Sequence, residues 1–239
     1  MGLVASSKVR KAQLARVKSL EYKENVGSII DVLLGSSAVK DSPYLKGQGE
    51  TELVIVIAGD RGLAGGYNAN VFKQVATENT EIYPIGKKAC ERYGKSVISS
   101  EKFSISDASS LAGAVCDDFN KGKYKSVSIV YTKYKNMLSQ EPCVCQLLPL
   151  EKPEKEQKGS PIFEPSEEEM LAKAVPVYLT GIIYSAIKES FACEVIARRN
   201  AMDSAGKNAT AMIDDLQLKY NRARQGAITQ EITEIVAGS

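Results

Sequence analysis

The feature that most constrains this chain is a proline-free stretch, residues 191–236. It is rich in alanine, methionine, leucine, glutamate, lysine and arginine, which favour helices. Its small and apolar residues recur every three or four positions, as on one face of a helix: Met202, Ala205, Ala209, Met212, Leu216, Tyr220, Ala223 and Ala227. Because the pattern extends back to Ile183, it predicts a helix of about 50 to 60 residues, roughly 75 to 90 Å long. A helix of that length exceeds the width of a small domain, so we expect a slender helix pair that a partner partly surrounds.

A second long helix is predicted near the N-terminus, at residues 4–34, which also contain no proline. The helical segment as a whole, residues 1–35, ends at Gly35. Its first part is basic and includes Lys8, Arg10 and Lys11. Such a run forms either a solvated helix face or a basic surface turned toward an acidic partner, and the sequence leaves both interpretations open.

The pattern between residues 51 and 150 changes to strands that alternate with helices. Strands are predicted at 53–58, 80–85, 95–98, 126–131 and 143–150, and helices at 68–77, 86–93 and 106–119. Alternation of this kind indicates crossover connections and a mostly parallel sheet in a Rossmann-like α/β domain. The last two strands have no helix between them, so we expect an antiparallel hairpin at the sheet edge.

The segment at residues 151–165 is polar and contains three prolines, which predicts a linker. The C-terminal helical segment then occupies residues 166–239. Ser166 and Glu169 stand at the positions of a capping box at its start. Pro176 is expected to kink or restart this helix.

Composition excludes several kinds of chemistry. The chain has no histidine, which removes histidine-based triads and histidine metal ligands. Its net charge of +2 gives no indication of nucleic-acid binding. The five cysteines contain no C-x-x-C pair, and we expect them to be reduced and mostly buried. We find no signal peptide and no apolar run of the ~18 residues that a membrane span requires, which indicates a cytosolic or membrane-peripheral protein.

A glycine-rich loop, GDRGLAGG at residues 59–66, follows the first predicted strand and precedes a helix. A strand, a glycine loop and a helix in that order often hold a phosphate group. The loop has no Gly-Lys-Ser/Thr, does not fit G-x-G-x-x-G, and no acidic residue follows the second strand to hold a ribose. We therefore interpret it as a tight turn, or as a loop in which Asp60 and Arg61 present a polar knob to a partner.

Three segments resemble the γ subunit family of F-type ATP synthases. They are VASSKVRKAQ at residues 4–13, GDRGLAGGYN at 59–68 and YNRARQGAITQEI at 220–232, in the order and spacing of that family. The resemblance covers nearly the whole chain. The family usually has cysteine at the position of Ala64, a change that we expect to be harmless, and about twenty further residues before the match to Met1.

The resemblance implies an antiparallel coiled coil of the N- and C-terminal helices, with the α/β domain at its foot. It implies a central shaft that turns inside a hexamer of α and β subunits and couples ion flow to ATP synthesis on β. The ε subunit and the membrane ring of c subunits would contact the foot, and the chain itself would carry no catalytic site, metal or cofactor. The complex would lie at the cytoplasmic face of the cell membrane, with no nucleic-acid partner.

Specific residues carry over from the family motifs. Arg224, Gln225 and Thr229 match the residues that hydrogen-bond to a loop of β. The basic residues near the N-terminus would face acidic loops of the hexamer. Two alternatives remain at this point: a small α/β nucleotide-binding protein that uses the glycine loop, and a coiled-coil adaptor that dimerises through its terminal helix.

Overall fold

The computed structural model describes residues 2–35, 42–75, 79–151, 164 and 166–238. In chain order the elements are α1 (Gly2–Leu34), β1 (Thr51–Ile57), α2 (Tyr67–Phe72), β2 (Thr80–Ile85), α3 (Lys87–Tyr93), α4 (Ile105–Asn120), β3 (Tyr124–Tyr134), β4 (Gln140–Leu148) and α5 (Glu167–Ala237). A short 3-10 helix, Pro43–Leu45, precedes β1. The chain falls into two compact units, residues 1–199 and 200–239.

The four strands form one sheet in the order β2-β1-β3-β4. β1 pairs in parallel with both β2 and β3, so that Ile55 lies between Tyr83 and Ile129. β4 runs antiparallel to β3 and closes a hairpin at the sheet edge. The mostly parallel sheet with an edge hairpin is confirmed. The strand predicted at 95–98 is wrong, since these residues belong to no strand; the backbone of Ile98 instead bonds to Gly86 and to the Cys90 thiol.

Two apolar cores cover the two faces of the sheet. Alternate residues of β1 point to opposite faces, because side chains alternate along a strand. Ile55 and Ile57 enter the larger core, which also contains apolar residues of α4 and of the first part of α5. Val54 and Val56 enter the smaller core, where α2 and α3 contribute Val71 and Ala89. β1 is therefore buried on both sides, as its continuous apolar sequence predicts.

α1 runs antiparallel to the first part of α5. Val9 packs with Val195 and Ile196 near the start of α1. Arg16 Nε lies 3.6 Å from Glu189 Oε1 one to two turns further along. Beyond these, the ring of Tyr22 lies against Gly181, where an added Cβ would be 3.2 Å from it. Since positions rise along α1 as they fall along α5, the antiparallel helix pair that the resemblance implies is confirmed for the described part of α1.

Of the two outcomes expected at Pro176, a restart does not occur, because α5 is one continuous helix through this residue. Proline inside a helix costs about 3 kcal/mol through its missing N–H and its clash with the preceding turn. Val175 and Leu179, on either side, are fully buried in the larger core. Burial of two such side chains contributes roughly 3–6 kcal/mol, enough to offset the proline. The Thr180 hydroxyl also donates to the Pro176 carbonyl at 2.7 Å.

We expected no segment long and apolar enough to span a membrane, but α5 is long and apolar enough by length and composition alone. Among the described residues, α5 has an 18-residue window with a mean hydropathy of 1.5. More than half of that window is buried inside the fold. Buried core helices pass the same test, and Ile183 and Ile187 of α5 lie fully within the larger core.

Residues 200–239 form the second unit, and residues 200–237 of it are helical. Its polar side chains make local contacts along the helix: Lys207 bonds to Asp203 at 3.0 Å and Lys219 to Asp215 at 2.8 Å. Exposed i,i+4 pairs of this kind contribute only about 0.3–0.5 kcal/mol each. The large apolar side chains of this segment are exposed: Met202, Met212, Ile213, Leu216, Leu218, Tyr220, Ile228, Ile232, Ile235 and Val236.

Candidate partner-binding surfaces and the glycine loop

The glycine loop, residues 59–66, joins β1 to α2 at the carboxyl end of the sheet. The Asn68 side chain accepts a hydrogen bond from the Gly59 amide at 2.9 Å, so α2 holds the start of the loop. Gly65 has φ +59°, and Leu63 has φ +60°. Positive φ is ordinary for glycine but uncommon for leucine. Leu63 is also 75% exposed, so the loop holds an apolar side chain out toward solvent.

Asp60 organises the loop from the inside. Its carboxylate accepts hydrogen bonds from the Lys87, Ser100 and Glu101 amides, each at 3.0 Å, and from the Ser99 hydroxyl at 2.7 Å. Burial raises the pKa of this carboxyl, but the four donors outweigh burial and hold the pKa below its ordinary value of 3.8. Asp60 is only 8% exposed. The prediction that Asp60 presents a polar knob is therefore corrected: the carboxylate binds groups of its own chain.

Glu194 on α5 binds the loop from the opposite side. One carboxylate oxygen accepts from the Arg61 amide at 3.2 Å and the other from the Asp60 amide at 3.3 Å. Arg198, one helical turn later, donates to the same carboxylate and to the Gly62 carbonyl at 3.2 Å. Glu194 is not among the site residues predicted from the sequence, although it is the one acidic residue in the otherwise apolar stretch 192–196. Its partners in the loop lie more than 130 positions away, and no local pattern reveals them.

A buried polar seam continues along α5 toward the end of β3. The Glu189 carboxylate accepts from the Tyr134 amide at 3.0 Å, and the Ser190 hydroxyl accepts from the Thr132 amide at 3.0 Å. The Tyr67 hydroxyl donates to the Ser190 carbonyl at 2.9 Å, and burial raises the pKa of this hydroxyl far above its ordinary value. The seam ties helix, sheet and α2 together, because a buried polar group that lost its partner would be costly.

Two exposed cations of the first unit, Lys8 and Arg61, lie near the Glu101 carboxylate. Lys8 Nζ lies 3.7 Å from one Glu101 oxygen, and Arg61 lies 3.9 Å from the other. The structure thus brings together two of the candidates that the sequence places 53 positions apart. All three side chains are 41–64% exposed, so the pairs contribute little to stability. Arg10 and Lys11 are also exposed on α1.

Arg224, Gln225 and Thr229 lie in the second unit, in the exposed helix. The Thr229 hydroxyl donates to the Gln225 carbonyl of its own helix at 2.8 Å. Their contact with a partner subunit stays a prediction.

Nucleotide binding by the glycine loop finds no support in this geometry. The two amides that would hold a phosphate, those of Asp60 and Arg61, already donate to Glu194. Within the described residues, no group of three Cys, Asp or Glu side chains is arranged to hold a metal ion. The described cysteines are all free; Cys90, Cys116 and Cys193 are buried, whereas Cys143 and Cys145 are half-buried on β4.

Comparison with known proteins identifies the family. A family model described as ATP synthase matches residues 1–239. The ATP synthase gamma chain of Ruminococcus albus is 40% identical over the whole of this chain and 90% of its own length. The gamma chain of Desulforamulus reducens is 36% identical over the same shares.

Solved structures share the fold. A chain from the central stalk and c-ring of the Tetrahymena thermophila mitochondrial ATP synthase superposes with a TM-score of 0.59 at 20% identity, covering 85% of this chain and 99% of that one. A chain from the rotor of the Euglena gracilis enzyme gives a TM-score of 0.58 at 17% identity, covering 93% and 99%. With the 40% identical relative and the match over the full length, these findings show that the chain belongs to the ATP synthase γ chain family and is a component of an ATP synthase.

Proposed function

We propose that this chain is the central shaft of a rotary ATP synthase, with its terminal helix inside a hexamer of α and β subunits. The observation that carries the proposal is the exposed apolar surface of the second unit. Leu216 and Tyr220, one turn apart, are 62% and 66% exposed, and Ile235 is 72% exposed. Extended apolar surface on a soluble chain marks an interaction site. A surrounding hexamer would cover a helix on several sides, whereas an adaptor dimer would cover one stripe.

The shaft role requires no catalytic group in this chain. ATP would form on β, while the shaft would present a different side to each β subunit as it turns. An asymmetric helix that contacts two conformations of β unequally shifts the populations of those conformations. The free energy available for each step is limited by that difference in contact.

The α/β unit would form the foot of the shaft. In this arrangement the ε subunit and the ring of c subunits bind the foot, and the complex lies on the cytoplasmic face of the cell membrane. Support comes from relatives of the same family and from the fold shared with a chain of the Tetrahymena thermophila central stalk and c-ring. The chain would reach the membrane only through the complex.

Arg224, Gln225 and Thr229 are proposed to bind a loop of β. The arginine and glutamine side chains are exposed, so their donors are available to a partner. Lys8, Arg10 and Lys11 are proposed to face acidic loops of the hexamer, and Arg61 is proposed to face a partner. The Glu101 carboxylate already pairs with Lys8 and Arg61, so a partner carboxylate must compete with it for these two cations.

The double substitution Arg224→Ala with Gln225→Ala tests the proposal in the assembled complex. Each lost hydrogen bond to the partner contributes about 0.5–1.5 kcal/mol, so the loss of two should lower coupled ATPase activity about fivefold to a hundredfold. Lys207→Ala is the matched control, because Lys207 is also exposed on the same helix but pairs with Asp203 of its own chain. Activity of the double variant equal to that of the control would contradict the proposed contact.

A further inference from the structure

The glycine loop directs two successive backbone amides at one carboxylate. The Asp60 amide donates to one oxygen of Glu194 at 3.3 Å, and the Arg61 amide donates to the other at 3.2 Å. Successive amides that converge on one anion form the kind of concavity with which glycine loops hold phosphate groups. Here the anion is a side chain of α5, which enters the loop from a position 133 residues further along the chain.

The loop is shaped around this carboxylate. Glu194 is only 1% exposed, and a Cβ added at Gly59 would lie 2.8 Å from its Cδ atom. Only glycine at position 59 leaves room for the carboxylate at its present depth. The fit is therefore steric as well as electrostatic.

Arg198 completes the arrangement by binding backbone carbonyl groups of the same loop. It donates to the carbonyls of Gly62 at 3.2 Å and Arg61 at 3.4 Å, and to the carboxylate of Glu194 itself. An i,i+4 pair on α5 thus binds both the amides and the carbonyls of the loop. The arginine also supplies the opposite charge that a buried carboxylate requires.

We propose that the glycine loop is an anion cradle whose resident ligand is the Glu194 carboxylate, and that Glu194 is a positioning residue that fixes the loop to α5. The cradle would accept another small carboxylate if Glu194 were removed. The exposed side chains of Arg61 and Leu63 are then held rigidly to the helix. A consequence for movement rests on the proposed shaft function: these two side chains would turn together with residues 167–199 of α5.

Hydrogen exchange of the full-length chain tests the cradle directly. In Glu194→Ala, exchange at the Asp60 and Arg61 amides should become about ten- to a hundredfold faster, because both amides lose a charged acceptor. Added formate should occupy the vacated cradle and slow exchange again in a saturable manner. Unchanged exchange in the variant, or faster exchange that formate does not reverse, would overturn the proposal.

Glu189→Ala is the matched control for this experiment. It removes another buried carboxylate from the same helix, but one that accepts from the Tyr134 amide and not from the loop. Exchange in the loop should stay at the wild-type rate with and without formate. An equal acceleration in the loop would show that any lost carboxylate on α5 loosens it, and would overturn a specific role for Glu194.

Two further variants keep the test informative if Glu194→Ala does not fold. Glu194→Gln retains the shape but only one acceptor oxygen, so one of the two amides should exchange faster. Gly59→Ala pushes the carboxylate away without removing it, and should accelerate both amides. In a Glu194→Gln background the added Gly59→Ala should have a smaller effect than in wild type, because the two changes disturb one interaction. Strictly independent effects would contradict the proposal.

The shaft and the cradle can fail separately. Amide hydrogen exchange is measured on the chain without partner subunits, so it tests the cradle independently of any rotary function. In the assembled complex, Glu194→Ala should lower coupled ATPase activity while the complex still forms. Glu194→Ala could speed amide exchange in the loop and yet leave the ATPase activity of the complex unchanged. That result would refute a role for Arg61 and Leu63 in carrying movement from α5 to a partner.

Discussion

Asp60→Ala is expected to be among the most damaging substitutions in the first unit. The carboxylate accepts four hydrogen bonds from the segments that follow β2 and α3. The Ser100 amide belongs to a residue that is 1% exposed, so it would be left without water and would cost about 1–3 kcal/mol. The donors of Lys87, Ser99 and Glu101 are nearer the surface and regain water in part. We expect a total loss of about 3–5 kcal/mol.

Urea unfolding followed by circular dichroism measures this loss. The midpoint should fall while the slope with urea stays the same, which identifies a change in stability and not in the unfolded state. For a unit of this size the loss corresponds to a melting temperature lower by about 10 °C. Asp60→Asn, which keeps one acceptor oxygen, should lose roughly half as much.

Asp118→Ala provides the control, because this carboxylate is 38% exposed and pairs with the exposed Lys123 at 3.3 Å. Its removal should change stability by less than about 1 kcal/mol. A loss below about 1 kcal/mol in Asp60→Ala would refute the argument that these bonds organise the loop.

Two other predictions concern the same end of the sheet. Because the folded-state pKa of Asp60 lies below 3.8, its contribution to stability is complete above about pH 4 and is lost as the pH falls through the folded-state pKa. Urea midpoints measured from pH 2 to 7 should show this loss in wild type and a smaller loss in Asp60→Asn. Identical pH profiles of the two proteins would exclude a contribution from Asp60. Gly86→Ala should lower the free energy of unfolding by about 3 kcal/mol or more in thermal unfolding. The reason is that Gly86 has φ +96° and that an added Cβ would lie 2.0 Å from the Ala58 carbonyl oxygen. A loss of stability close to zero would show that this turn adjusts freely.

The sheet could be predicted because its signals are local. The continuous apolar sequence of β1 indicates a strand buried on both faces, and the structure buries every residue from Leu53 to Ile57. The missing helix between β3 and β4 predicts their hairpin. The long proline-free patterns likewise indicate the two terminal helices before any contact is known. α5 does not restart at Pro176, because tertiary packing of Val175 and Leu179 overrides the local propensity of proline.

The polar contacts of the loop were beyond the reach of the sequence. Asp60 stood in a recognised motif, but its partners at 87 and 99–101 follow a further strand and helix. Glu194 reaches the loop across more than 130 residues. Such long-range hydrogen bonds between side chains and backbone amides depend on which helices and strands become neighbours in the fold. The spacing of residues along the chain does not show which elements become neighbours. Arg224 and Gln225 were chosen from the family motif, and their exposure is compatible with any partner.

The most direct test of the shaft is rotation itself. The chain would be co-expressed with its matched α, β and ε subunits, purified as a complex by size exclusion, and anchored through β with a probe on the exposed surface of the foot. We expect one γ chain per hexamer and rotation of the probe in one direction while ATP is hydrolysed. An assembled complex that hydrolyses ATP with a stationary probe would contradict the shaft function.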